Sequence, residues 1–167
     1  TYSLTGGAVQ APFSLDPATC VLIFTTAPDF ENPSDADGDN AYEVQVTVTD
    51  GAGATDVQTL TVNVTAANDN PPDITSDGGG ATATVTVAEN TTGVTNVEST
   101  DADGETENGG GLIYSLTGGA DQALFTLDPA TGDLSFTTAP DFENPVDADG
   151  DNAYEVQVTV TDAAGTT

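Results

Sequence analysis

The chain has 167 residues, 28 of them acidic, with no Lys, Arg or His, which gives a formal net charge of -28 and a sequence pI of about 4.1. Without a fixed cation it cannot displace counterions from phosphates or dock on an anionic bilayer, so nucleic acid and direct membrane insertion are excluded as partners. General acid–base chemistry is left to carboxylates alone, and a Ser or Thr nucleophile would find no imidazole or amine to activate it.

Hydrophobic residues make up 37% of the chain, with 18 Gly and 9 Pro, a balance that suits short strands joined by turns. Disorder, the rival reading of so acidic a composition, fails because the apolar residues are patterned. The single cysteine, Cys20, cannot form an internal disulfide, so cohesion falls to core packing, bound metal or neighbouring modules. No stretch approaches the roughly 20 apolar residues of a membrane span, and no signal peptide is evident, so a secretory signal is expected outside this sequence.

In chain order, the first clear strand is Ala41 to Asp50. Tyr42, Val44, Val46 and Val48 alternate there with Glu43, Gln45, Thr47 and Thr49, as in a strand with one buried face. Leu60, Val62 and Val64 alternate with Thr59, Thr61 and Asn63, and Ala83, Val85 and Val87 with Thr82, Thr84 and Thr86. Short strands are expected around Gly93 to Glu98, Leu112 to Leu116, Ala123 to Leu127 and Leu134 to Thr137. Asp128-Pro129-Ala130-Thr131-Gly132-Asp133 reads as a hairpin turn, with Pro presetting φ and Gly taking the positive-φ position. No segment carries a capped 3.6-residue pattern. The expected fold is all-β, a Greek-key sandwich of about seven strands per unit.

Thr1 to Thr55 aligns without gaps on Ile113 to Thr167, an offset of 113 - 1 = 112, and 45 of the 55 pairs are identical. A repeat of that length is a whole domain, so the chain reads as part of a string of similar beads. Residues 1–70 form the later part of one unit and 71–167 the earlier and middle part of the next. The sequence is thus a window on a longer array, or a protomer that neighbours complete.

The carboxylates gather in turns: Asp29 and Glu31, Asp35-Ala36-Asp37-Gly38-Asp39-Asn40, Asn68-Asp69-Asn70, Asp101-Ala102-Asp103-Gly104-Glu105, Asp141 and Glu143, and Asp147-Ala148-Asp149-Gly150-Asp151-Asn152. Two like unit charges at about 4 Å repel by roughly 1 kcal/mol in water and about 4 at an effective dielectric of 20. This chain has no basic side chain to offset that repulsion, so a hard divalent cation is required. Ca2+ takes oxygens from Asp, Glu, Asn and main-chain carbonyls, whereas Mg2+ keeps its waters and Zn2+ prefers His or Cys. Asp35, Asp37 and Asp39, and their copies Asp147, Asp149 and Asp151, have the spacing of the first three ligands of an EF-hand-like loop. Asn40 nevertheless stands where that loop has Gly, and Val46 where it has its bidentate Glu. An extra ion site and a solvated bulge both remain open there.

The motifs resemble cadherin-type repeats in their bacterial form. Asp29-Phe30-Glu31 and Asp141-Phe142-Glu143 resemble the LDRE segment, and Tyr42 to Asp50 and Tyr154 to Asp162 the strand that ends in an ATD triplet. Ala66 to Pro72 resembles the DxNDNxP linker, Val87-Ala88-Glu89-Asn90 the PEN segment, and Asp101-Ala102-Asp103 the DAD motif. The resemblance covers the whole chain. It implies residues 1–70 as the C-terminal part of one cadherin-like repeat with its linker, and 71–167 as the next repeat lacking its last strand. It also implies Ca2+ between consecutive repeats, held by Asp29, Glu31, Asn68, Asp69, Asn70, Asp101, Asp103, Asn108 and Asp162. Glu89, Asp141 and Glu143 would serve the next junction downstream and Asp50 the one upstream. Ala66 replaces the linker's first Asp, which weakens or removes one ion of the usual cluster, and the Asp35 to Asn40 loop would compensate.

The two copies differ with a direction at three pairs: Val9, Val21 and Ile23 correspond to Asp121, Asp133 and Ser135. An apolar outer face on the first hairpin marks either a contact patch between chains, with Cys20 in place of the hairpin Gly and available to another thiol, or neutral drift. Asn63 and Asn90 begin glycosylation sequons, which chance also explains in a Thr-rich chain.

The function these features imply is an extracellular, calcium-rigidified, non-enzymatic repeat of a cell-surface adhesin or filament. Its partners would be neighbouring repeats or identical chains, joined end to end or by strand exchange, with surface glycans or other adhesins as further candidates. The alternative is a carbohydrate-binding accessory module of a larger secreted enzyme, which requires exposed aromatics on one face. A glycosidase built on Asp29/Glu31 or Asp141/Glu143 would need an active site duplicated in every bead.

Overall fold

The computed structural model describes residues 1–8 and 11–167; Val9, set against Asp121 above, lies outside the described residues. The chain forms two compact units, Thr1–Ala67 and Asn68–Thr167. The linker residues Asn68 to Asn70 thus belong to the second unit.

The first unit contains β1 (Tyr2–Gly6), β2 (Phe13–Leu15), β3 (Leu22–Phe24), β4 (Ala41–Thr49) and β5 (Thr55–Asn63). β4 is the central strand of the antiparallel sheet β1-β4-β5, and β2 and β3 form a hairpin. Phe13 of that hairpin packs on Tyr42 and Val44 of β4, with Leu4, Leu22, Phe24, Leu60, Val62 and Val64 around them. Tyr42 is edge-on to Phe13 and Phe24 at 6.4 and 5.2 Å between ring centroids, a geometry that sets the positive ring edge against a negative face.

The second unit contains β6 (Asp73–Ile74), β7 (Gly93–Asn96), β8 (Ser99–Thr100), β9 (Ile113–Gly118), β10 (Phe125–Leu127), β11 (Asp133–Phe136) and β12 (Gln157–Thr161). They pair as β10-β11-β7, β12-β9 and β6-β8. Phe125, Leu134 and Phe136 of the first of these pack against Leu116, Tyr154 and Val156, so two layers enclose one core. A second cluster packs Val97, Leu112, Tyr114 and Val160 together, and Leu127 lies against both clusters. This is the expected all-β, immunoglobulin-like sandwich.

The hairpin turn forms as its residues require. Asp128 Oδ1 accepts the N–H groups of Ala130 and Thr131, and Gly132 takes φ 74°. A Cβ at Gly132 would lie 2.1 Å from the Val97 carbonyl oxygen, so the position needs glycine for space as well as for φ. In the first unit Cys20 adopts φ 59° at the same place and is exposed.

Three strand expectations are corrected. Val46 and Val48 were expected inward, yet Val48 is 37% exposed and Thr47 is buried. Thr47 shares a 2.6 Å hydroxyl hydrogen bond with Thr5. In the second unit Val160, the copy of Val48, is only 4% exposed because it packs in one cluster with Val97 and Leu112. The segment Thr82 to Val87 forms no strand although Val87 packs into the core, since an extended segment needs a hydrogen-bonded neighbour to become one. The strand expected from Tyr154 to Asp162 shortens to Gln157–Thr161 for the same reason. In the first unit Ala41 to Val44 pair only with β5, and in the second no described strand takes that place beside Ala153 to Val156.

Candidate metal centre

In the second unit the linker, the Asp101 to Glu105 loop and the turn after β12 meet. Asp101 Oδ1 accepts the N–H of Asp103 at 2.7 Å, folding the Asp-Ala-Asp-Gly-Glu loop back on itself, and Gly104 at φ 85° lets it turn. Asp103 Oδ2 then accepts the main-chain N–H groups of Asp69 (3.1 Å) and Asn70 (2.8 Å), and its Oδ1 accepts Asn70 Nδ2 (3.0 Å). Asn68 donates from Nδ2 to Glu105 Oε1, and the Ala163 N–H donates to Glu105 Oε2. The linker residues are thereby laid against the loop that follows β8.

Asp162 ends β12 and is 4% exposed. Its Oδ1 accepts the Thr166 N–H at 2.7 Å and its Oδ2 the Thr166 hydroxyl. That hydroxyl is the main reason its carboxyl sits below the ordinary carboxylate range. Asp50 plays the same part after β4: its Oδ1 accepts the Ala54 and Ala52 N–H groups at 2.8 Å each, and these bonds lower its pKa.

One carboxylate oxygen from each of Asp101, Glu105 and Asp162 lies within 4.8 Å of the others. Oxygens bound to one ion at about 2.3–2.6 Å are at most about 5 Å apart, so the three fit a single Ca2+. Two further observations favour a cation there: Asp101 Oδ2 and Asn68 Oδ1 are buried oxygens with no hydrogen-bond partner. An all-oxygen donor set suits Ca2+ and does not suit Zn2+. Ca2+ fits these residues. Asn108 lines the same open cleft as Asp101 and Glu105, but it is exposed, at φ 59°, with its N–H bonded to Ala130. The residue grouped with Asp101 and Asp162 is Glu105, which is not among the ligands that the resemblance implies. Its Asp-x-Asp-x-Glu spacing, which puts three carboxylates on one tight loop, was the available signal.

At Phe142 the second unit gathers another group. Glu89 Oε2 accepts the Phe142 N–H (3.1 Å), and oxygens of Glu89, Asp141 and Glu143, all exposed, lie within 4.8 Å of one another. Asp141 Oδ1 accepts the Glu143 N–H (3.1 Å), the same turn that Asp29 makes with Glu31 (3.1 Å) and Asn32 (3.0 Å) in the first unit.

The Asp-Ala-Asp-Gly-Asp-Asn loops are alike in both units. Asp35 Oδ2 accepts the Asp39 N–H (2.7 Å) and Asp147 Oδ2 that of Asp151 (2.8 Å). The charge of Asp39 raises the pKa of Asp37, and that of Asp151 raises Asp149. For Asp147, burial opposes the charged form, but the Asp151 N–H and other hydrogen bonds outweigh it and lower its pKa.

These opposite shifts set an acid profile in chelator. Asp16, lowered chiefly by the N–H of Ala18, contributes stability that is complete above the unfolded carboxylate value of about 3.9 and is lost as pH falls through its folded value. Asp37 and Asp149 act in the other direction, because protonation relieves repulsion as pH falls through their raised values. Thermal unfolding followed from pH 7 to 2.5 is expected to show a stability maximum between the two regimes. A monotonic decline from pH 7 contradicts it.

The sequence model of the Cadherin domain family matches residues 83–167, half of the chain. The chain belongs to the cadherin family. Mouse Protocadherin Fat 2 is 31% identical to this cadherin over 166 residues, 97% of this chain but 3% of that protein. Halomucin of Haloquadratum walsbyi is 38% identical over 99 residues, 59% of this chain and 1% of that protein. The chain therefore spans a few hundredths of the length of these relatives. The crystal structure of Drosophila N-cadherin EC1-4 matches 99% of this cadherin, and 37% of its own chain, with a TM-score of 0.71 at 17% identity. Human Protocadherin-24 EC1-2 matches all of this chain, and 72% of its own, at 0.67 and 19%.

The aromatic side chains are mostly internal. Phe13, Tyr42, Tyr114, Phe125 and Phe136 are buried, while Phe30 and Phe142, at equivalent positions, are 36% and 64% exposed. Among the described residues no helix is long and apolar enough to cross a membrane.

Proposed function

We propose that the chain is a stretch of two consecutive extracellular cadherin repeats, a non-catalytic structural or adhesive module of a cell-surface adhesin or filament, stiffened by Ca2+ bound where one repeat meets the next. The observation that carries this reading is the end of the second unit: Asp101, Glu105 and Asp162 within reach of one ion, beside the unpartnered oxygens of Asp101 and Asn68. Asn68, Asp69, Asn70 and Asp103 stand at the same end, and Asp29 and Glu31 are the first unit's contribution by sequence. Glu89, Asp141 and Glu143 offer the corresponding group toward a following repeat, and Asp50 toward a preceding one. Bound Ca2+ offsets part of the charge of -28 and turns a hinged pair of beads into a rod. Affinities of extracellular modules, about 10⁻⁴ to 10⁻³ M, suit such a role. Neighbouring repeats or identical chains are then the partners.

Small-angle scattering of the whole chain tests this. In 5 mM Ca2+ the pair-distance distribution is expected to be that of one elongated rigid body, and in chelator it broadens. Asp101→Asn with Asp162→Asn should scatter in Ca2+ as the wild type does in chelator. Identical curves with and without Ca2+ would sink the reading.

A further inference from the structure

The two Asp-Ala-Asp-Gly-Asp-Asn loops are not among the residues that the proposed function assigns to the junction, and that function stands or falls without them. Oxygens of Asp35, Asp37 and Asp39 lie within 4.8 Å of one another, and so do those of Asp147, Asp149 and Asp151. Exposed carboxylates often cluster without a ligand, so proximity alone decides nothing. A separate observation concerns the innermost member. Asp147 is 8% exposed, its Oδ2 is taken by the Asp151 N–H, and its Oδ1 is buried with no hydrogen-bond partner. Asp35 repeats this in the other unit: Oδ2 is taken by Asp39, and Oδ1 is buried without a partner. Asn40, 9% exposed, adds another unpartnered buried oxygen, its Oδ1, while its Nδ2 holds the Phe30 carbonyl. A buried oxygen that accepts nothing loses its hydration without compensation, and that cost falls on the same atom in both copies.

The chain has no basic side chain to complete these oxygens. We infer that each loop is a second class of cation site, internal to its repeat, in which Asp35, Asp37 and Asp39, or Asp147, Asp149 and Asp151, bind one hard divalent cation of the Ca2+ type. With one oxygen from each, the three carboxylates supply at most half of the 6 to 8 oxygens that Ca2+ takes, so water completes the shell and the site is weak, in the millimolar range of extracellular modules. Its position explains what it does. Asp39 Oδ1 accepts the Ala41 N–H, and Tyr42, the core residue next along β4, accepts the Ser34 N–H at 3.1 Å. In the second unit buried Asp121 accepts the N–H groups of Ala148 at 2.7 Å and Glu155 at 2.8 Å. The ion therefore fixes the segment that delivers the central strand to the core, and it works in a single bead as in an array.

Site-resolved titration of the intact chain tests this, with Ca2+ added to 20 mM and main-chain amide shifts followed by NMR. Saturable shifts at Gly38 and Gly150 are expected. Asp149→Asn, which removes an exposed ligand without touching the Asp147–Asp151 hydrogen bond, should weaken binding at Gly150 at least tenfold and leave Gly38 unchanged. Asp37→Asn should do the reverse. If amides around Asp101 and Asp162 titrate while Gly38 and Gly150 do not, the loop sites are refuted and the junction reading survives. Shifts at Gly150 that persist unchanged in Asp149→Asn, or an absence of shifts throughout, also overturn the inference.

Discussion

Moving the chain from chelator into 10 mM Ca2+ is expected to raise its melting temperature by about 10–20 °C, and the same concentration of Mg2+ by far less. An ion that binds only the folded state adds RT ln(1 + [L]/Kd), about 1.4 kcal/mol at ten times Kd and about 2.7 at a hundred times. For Kd values of 10⁻⁴ to 10⁻³ M, 10 mM lies in that range, and each kilocalorie is worth about 2–4 °C in a chain of this size. Two or three occupied sites give the stated shift. The acidic turns make it large, because with no Lys, Arg or His nothing within the chain offsets them. Mg2+ separates specific coordination from screening, since it surrenders its waters reluctantly. Equal melting temperatures in chelator and Ca2+, by calorimetry at matched ionic strength, would remove the basis for metal binding at any of the clusters.

The second large effect is steric. Gly132→Ala should destabilise the second unit by about 2–5 kcal/mol, the sum of a left-handed φ that costs an L-residue about 1–2 and the overpacking of a closed site, typically 1–3. The new Cβ would meet the Val97 oxygen at 2.1 Å, and that oxygen belongs to main chain next to β7, so neither partner can swing aside. Cys20→Gly, at the same turn of the first unit, should be neutral or stabilising by up to about 1 kcal/mol. It relieves φ 59° at an exposed position and increases only the freedom of the unfolded chain. Paired urea titrations of the two variants check this. Comparable losses in both would mean that the Val97 contact is not what Gly132 serves.

The same hairpin bears on the apolar face noted in the sequence. Val21 and Ile23 are 54% and 56% exposed, and in the second unit Asp133 is exposed while Leu134 and Phe136 are buried. Asp121 differs from the other two polar replacements. It is buried and holds two main-chain N–H groups, a tertiary role that its contrast with Val9 did not suggest.

Local pattern was enough for much of this cadherin. Alternation in Ala41 to Asp50 and Thr59 to Val64 located the paired strands β4 and β5, because a side-chain period of two leaves one face to bury. The Asp-Pro-x-x-Gly-Asp turn located the β10–β11 hairpin, because Pro and Gly restrict φ wherever they stand. The linker, Asp-Ala-Asp and strand-end motifs carried the resemblance to the family, and the acid-rich turns carried the expectation of a cation. Which alternating segments become strands was settled by neighbours: Thr82 to Val87 and Ala153 to Val156 have the pattern of strands and no partner to pair with. Which valines are inside followed from what covers them, as Val48 and Val160 demonstrate. Glu105 joined Asp101 and Asp162 through a fold that closes 162 - 105 = 57 residues of chain, a separation over which sequence spacing carries no distance. Residue types and their period placed the alternating segments and the turns, and set the expectation of a hard cation. Only tertiary structure decided which oxygens lie close enough to share one ion, because a ligand set is a set of distances across the chain.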